Sequence, residues 1–75
     1  MGFFKKRGKP RQYRIRCMRD LRYDKVVYEV SVWGRILKAW NFSEDHASLV
    51  NARTSVRLDA AFHGYGDNYE ITELI

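Results

Sequence analysis

KVVYEVSVWGRILKAWNF, residues Lys25 to Phe42, is the stretch on which the fold turns. Lys25 to Trp33 is rich in β-branched and aromatic residues, which suit a pleated, half-buried surface. Gly34 interrupts, and a second run from Ile36 to Phe42 follows at once. The pattern predicts one β-hairpin closed by a two-residue loop, with Gly34 at positive φ. A two-residue loop places Val26, Tyr28, Val30 and Val32 on one face with Leu37, Ala39 and Asn41. The other face then holds Val27, Glu29, Ser31 and Trp33 with Ile36, Lys38, Trp40 and Phe42. Charged residues are rarely buried unpaired, so Glu29 and Lys38 mark the second face as wet and the first as core. Trp33, Trp40, Ile36 and Phe42 are thereby left on the open face as an apolar patch, a common mark of a contact surface. A three-residue loop would reverse the facing of one strand.

Upstream, Gln12 to Met18 alternates, with Tyr13, Ile15 and Cys17 on one side and Arg14 and Arg16 on the other, the signature of a half-buried strand. Paired beside the hairpin through the polar turn Arg19 to Asp24, this strand brings Arg14 and Arg16 onto the face of Trp33 and Trp40. Residues 1–11 read as a flexible basic arm carrying Lys5, Lys6, Arg7, Lys9 and Arg11, and residues 12–75 as a single small domain. Lys5 to Lys9 also matches a short nuclear import signal, a pattern common by chance.

Downstream, Ser43 followed by Glu44 and Asp45 has the form of a helix N-cap with an acidic first turn. The helix is expected to run to about Phe62, with His63 and Gly64 at its end. Its face Ala47, Val50, Thr54, Leu58, Ala61 and Phe62 is expected to cover the sheet. Leu49, Ala52, Val56 and Ala60 form a second stripe, a candidate dimer or partner surface. Thr54 to Phe62 also alternates, so residues 53–62 admit a strand as the competing reading. Tyr69 to Ile75 closes the chain as a strand with Tyr69, Ile71 and Ile75 inward. The fold class is therefore α+β: a mainly antiparallel four-stranded sheet with one helix packed on one face, in the order β-β-β-α-β.

Composition bounds the function. A 75-residue chain buries only about 60% of its unfolded surface, so stability is marginal and a homodimer would add to it. The single cysteine, Cys17, closes no internal disulfide and reads as a small buried thiol on the inward face. His46 and His63 fall near opposite ends of the expected helix, and neither metal spacing nor a phosphate-binding glycine loop is present. These features point away from an enzyme, a metal site or a cofactor. Neither a secretory signal nor an apolar run of membrane-spanning length occurs, giving a cytoplasmic expectation with no membrane partner.

Residues 1–42 carry twelve Lys or Arg against three acids, net +9, whereas residues 43–75 carry two against six, net −4. Such asymmetry suits one positive surface facing an acidic partner. Guanidinium groups fork onto phosphates and indoles stack on bases, which is how sheet faces grip single strands. The expected function is a small nucleic-acid-binding module, single strands favoured. Lys5, Lys6, Arg7, Lys9, Arg11, Arg14, Arg16, Arg35 and Lys38 would contact phosphates, and Trp33 and Trp40 the bases. The alternative is a protein-interaction module docking on an acidic protein surface. By analogy of size, it would be a phage- or mobile-element-encoded inhibitor of a host complex such as an RNA polymerase or a CRISPR effector.

Overall fold

The computed structural model describes residues Gly8 to Ile75; the basic cluster Lys5, Lys6 and Arg7 lies outside the described residues. Four strands, β1 (Arg11–Asp20), β2 (Lys25–Gly34), β3 (Ala39–His46) and β4 (Tyr69–Leu74), and one helix, α1 (Leu49–Phe62), follow in the order β-β-β-α-β. The sheet runs β3-β2-β1-β4. β1 pairs antiparallel with β2 and β2 antiparallel with β3, but β4 runs parallel to β1, so the α+β sheet is mixed rather than mainly antiparallel. The single pass of α1 is the cause. Its 14 residues rise about 21 Å, returning the chain to the end at which β3 began, so β4 must run in the direction of β3.

The β2–β3 loop is longer than expected. Gly34 pairs with Ala39 inside the ladder, and the loop is the four residues Arg35 to Lys38, with Lys38 at φ 54. Gly34 serves a close approach instead of a turn: a Cβ there would sit 2.5 Å from the Asn41 side-chain nitrogen. Because four, like two, is even, Trp33 still faces Trp40 and Ser31 faces Phe42 as expected. Ile36, Leu37 and Lys38 fall in the loop instead of the strand, so Leu37, expected in the core, is 75% exposed, and Val26 and Ala39, expected beside it, are exposed as well.

β3 then continues past Phe42 into the segment expected to be helical. Ser31 pairs with Phe42 but Val30 pairs with Glu44, so Ser43 is the extra residue of a β-bulge. The N-cap is Ser48, whose hydroxyl accepts the Asn51 N–H at 3.1 Å. Ser43-Glu44-Asp45 has a capping sequence, yet pairing with Tyr28 to Val30 overrides it. Residues 53–62 are helix, and Gly64 at φ 82 ends it, with the Tyr65 N–H reaching the Ala60 carbonyl at 2.8 Å.

The helix presents the opposite stripe to that expected. Ala52, Val56 and Ala60 are fully buried, and Leu49 is half-buried against the same core. The proposed partner stripe Leu49, Ala52, Val56 and Ala60 is thus the helix's core face and is closed to a partner. Val50, Leu58 and Phe62, expected to cover the sheet, are 57–85% exposed. Size complementarity explains the reversal. The sheet beneath already supplies Tyr13, Ile15 and Val30, and alanines let the helix approach those bulky groups without overpacking. Cys17 points to the expected face but is exposed, because the helix does not extend over it. Ile75 is likewise exposed, while Tyr69 and Ile71 pack on the core.

Candidate nucleic-acid interface

The sheet face opposite the helix is built by the residues that alternate with the core. The register sets Arg14 beside Ser31, Arg16 beside Glu29, Trp33 beside Trp40, and Ser31 beside Phe42. Trp33 and Trp40 form a cross-strand edge-to-face pair with ring centroids 5.3 Å apart, and both rings stay half-exposed. Arg14 starts on β1 and its guanidinium lies 4.7 Å from the ring centre of Trp40 on β3. To get there it crosses β2 at Ser31, which explains why this serine is only 3% exposed on an otherwise open face. A small residue at 31 is what lets the Arg14–Trp40 contact form.

The cations of this face divide into spent and free. Arg16 donates from Nε and Nη2 to Glu29 Oε1, at 3.0 and 2.7 Å, so its charge is matched locally. Arg14 has no carboxylate partner among the described residues, and its buried Nε has no acceptor. Arg35 Nη2 is held at 2.9 Å by both the Lys9 and Pro10 carbonyls, which ties the start of the described chain to the β2–β3 loop. Lys9, Arg35 and Lys38 therefore gather at the Trp33–Trp40 end of the sheet, without a carboxylate partner among the described residues.

Arg11 goes elsewhere. As the first residue of β1, it lies between the rings of Tyr13 and Tyr65, 5.6 and 5.5 Å from their centres, and 3.4 Å from Asp59 Oδ2. Tyr13 donates to the same Asp59 oxygen at 2.5 Å and receives the Arg11 Nε–H at 2.8 Å. Burial, aided by the hydrogen bond to Asp59, pushes the Tyr13 phenol above its usual range. This clamp fastens β1 to the helix, and Arg11 faces the helix side instead of the indoles. The signal was readable as the i, i+2 alternation of Arg11 with Tyr13, but its acid partner is 48 positions away.

A groove of 570 Å³ separates β3 from α1, lined in part by Glu44, His46, Leu58 and Phe62. It exists because the bulge at Ser43 rotates Glu44 to the helix side, where its Oε1 lies 2.6 Å from His46 Nε2. This groove and the Trp pair lie on opposite faces of the sheet. No described helix is long and apolar enough to cross a membrane. No family model, curated protein or solved structure matches the chain.

Proposed function

We propose that the chain is a non-enzymatic cytoplasmic module that binds single-stranded nucleic acid on the sheet face opposite the helix. The observation that carries this reading is the Trp33–Trp40 pair, half-exposed and topped at Trp40 by an arginine with no carboxylate partner among the described residues. Bases stack on indoles irrespective of sequence, and an arginine already lying on one ring is placed to meet the phosphate beside a stacked base. Lys9, Arg35 and Lys38 extend the positive potential around the same end, with Lys5, Lys6 and Arg7 immediately upstream in sequence. Arg11 and Arg16, engaged with Asp59 and Glu29, contribute field more than direct contacts. The test is binding of a labelled oligonucleotide at two salt concentrations by wild type and by the Trp33→Ala, Trp40→Ala double variant. Strong salt dependence and loss of binding in the variant support the reading; equal binding by the variant removes stacking from it.

A specific observation favours a second reading. Ile36 and Leu37 in the β2–β3 loop are 95% and 75% exposed, and Phe42 beside Ser31 is 61% exposed. Exposed apolar groups at the same end of the sheet as a Trp pair suit a protein hot spot with an acidic partner, including the surface of a host complex. A protein whose wild type ignores oligonucleotides at low salt belongs to this second class.

A further inference from the structure

Only part of the open sheet face suits a nucleic acid, and the register marks where that part ends. Row by row across the strands, the face holds Trp33 with Trp40, then Arg14, Ser31 and Phe42, then Arg16, Glu29 and Asp45. The third row is a fence. Glu29 already takes the Arg16 charge, while Asp45 is exposed and has no Lys or Arg partner among the described residues, so a phosphate arriving there meets net negative charge. The middle row is open. Phe42 follows Trp40 by two residues on β3, stands on the same side of the strand and is 61% exposed. Among the described residues, no cation or aromatic ring lies against it.

We propose that Phe42 is a second base platform, and that a bound single strand runs along β3 from the Trp pair and leaves the sheet at Asp45. The inference rests on the nucleic-acid reading above and assigns where on that face the bases lie. Residues two apart on a strand stand about 7 Å from each other. Stacked bases repeat at about 3.4 Å, so bases resting on Trp40 and on Phe42 cannot also stack on one another. The strand is held splayed, which a paired duplex does not allow. Arg14 suits the link between the two bases. It leaves β1 in the Phe42 row, crosses Ser31 and ends 4.7 Å from the Trp40 ring centre, so its guanidinium lies between the platforms, where the joining phosphate passes. Charge along β3 sets the direction: Arg35 and Lys38 lie in the loop at its start, with Lys9 tied to Arg35, and Asp45 lies near its end.

Anisotropy of a labelled oligothymidylate at low and moderate salt, read together with tryptophan emission, tests this on the full chain. Phe42→Ala should keep the wild-type far-UV spectrum and bind about fivefold to a hundredfold more weakly, with the same salt dependence because no charge is lost. Phe42→Tyr keeps the flat ring and should bind as wild type does. Phe42→Leu keeps apolar bulk without the ring and should bind as weakly as the alanine variant; if the alanine variant loses its fold, these two carry the comparison alone. Asp45→Asn should raise affinity more than Asp24→Asn, the same charge change at the distant β1–β2 turn. Wild-type binding with quenching that Phe42→Ala leaves unchanged, or that Phe42→Leu matches, overturns the second platform and leaves the Trp pair standing. Equal gains from the two Asn variants overturn the exit at Asp45. A wild type that ignores the oligonucleotide at low salt overturns the nucleic-acid reading itself, and this inference with it.

Discussion

The two faces of the sheet are made from the same strands, alternate residue by alternate residue, yet they solve opposite problems. On the helix side, Tyr13, Ile15 and Val30 are at most 2% exposed beneath Ala52, Val56 and Ala60. On the other side, Trp33 and Trp40 lie half-open, with Arg14 bridging over Ser31 to reach Trp40. Large groups from the sheet meet small groups from the helix on the first face; large and small meet within the sheet itself on the second. Apolar content does not decide which surface is covered. Leu58 and Phe62 are larger and more apolar than the alanines, yet they stay largely exposed along the open groove beside β3, because the helix sets its alanines over Tyr13, Ile15 and Val30.

The contrast makes the two faces separable by mutation. Ile15→Ala empties the covered face and should cost about 2–5 kcal/mol in urea unfolding, enough to unfold a marginal domain. Trp33→Ala and Trp40→Ala should each leave the fold largely intact but weaken single-strand binding by about 1–3 kcal/mol per lost stack, read by anisotropy. If either indole change unfolds the chain instead, the open face is core after all. Tyr13→Phe removes the hydrogen bond to Asp59 and should cost about 1 kcal/mol. It should also change the alkaline limb of stability. The folded-state phenol holds its proton above the usual tyrosine range while the unfolded chain loses it there, so this contribution is complete below about pH 10 and declines above it. Phenylalanine should flatten that decline in thermal melts between neutral and alkaline pH.

The smallest effect belongs to Arg53, which forks onto Glu73 at 2.7 and 2.8 Å on the exposed side of the helix. The hydrogen bond from Arg53 holds the Glu73 carboxyl below its usual range. A depressed carboxylate contributes stability that is present above the ordinary carboxylate range and lost as pH falls through its folded-state value. Arg53→Ala should therefore change melting little at neutral pH and leave a shallower acid limb.

Facing was legible in the sequence because it depends only on loop parity. The β2–β3 loop has four residues instead of two, and Trp33, Trp40, Arg14 and Arg16 still share a face. What local pattern does not carry is competition at a distance. Ser43-Glu44-Asp45 satisfies the rules for a cap, and only the ladder to Tyr28 and Val30 makes it strand. Choosing between the two apolar helix stripes requires knowing that Tyr13 and Ile15 already fill the space beneath, whereas periodicity alone favours the stripe of larger residues. The parallel β4 was within reach, since one helix between two strands of a sheet returns the chain to its start. Ion pairing was not. Arg16 and Glu29 are 13 positions apart and Arg11 and Asp59 are 48, and neither pairing leaves a local trace.

Trp33 and Trp40 are the chain's two tryptophans, so emission excited to the red of tyrosine absorption reports on the open face. Titration with single-stranded and duplex oligonucleotides at low and moderate salt is the most direct test that this face takes bases. The account predicts quenching by single strands, weaker quenching by duplex, and an affinity that falls steeply as salt rises. Saturable binding without quenching, or no binding at low salt, would contradict it and leave the Trp pair as a protein contact.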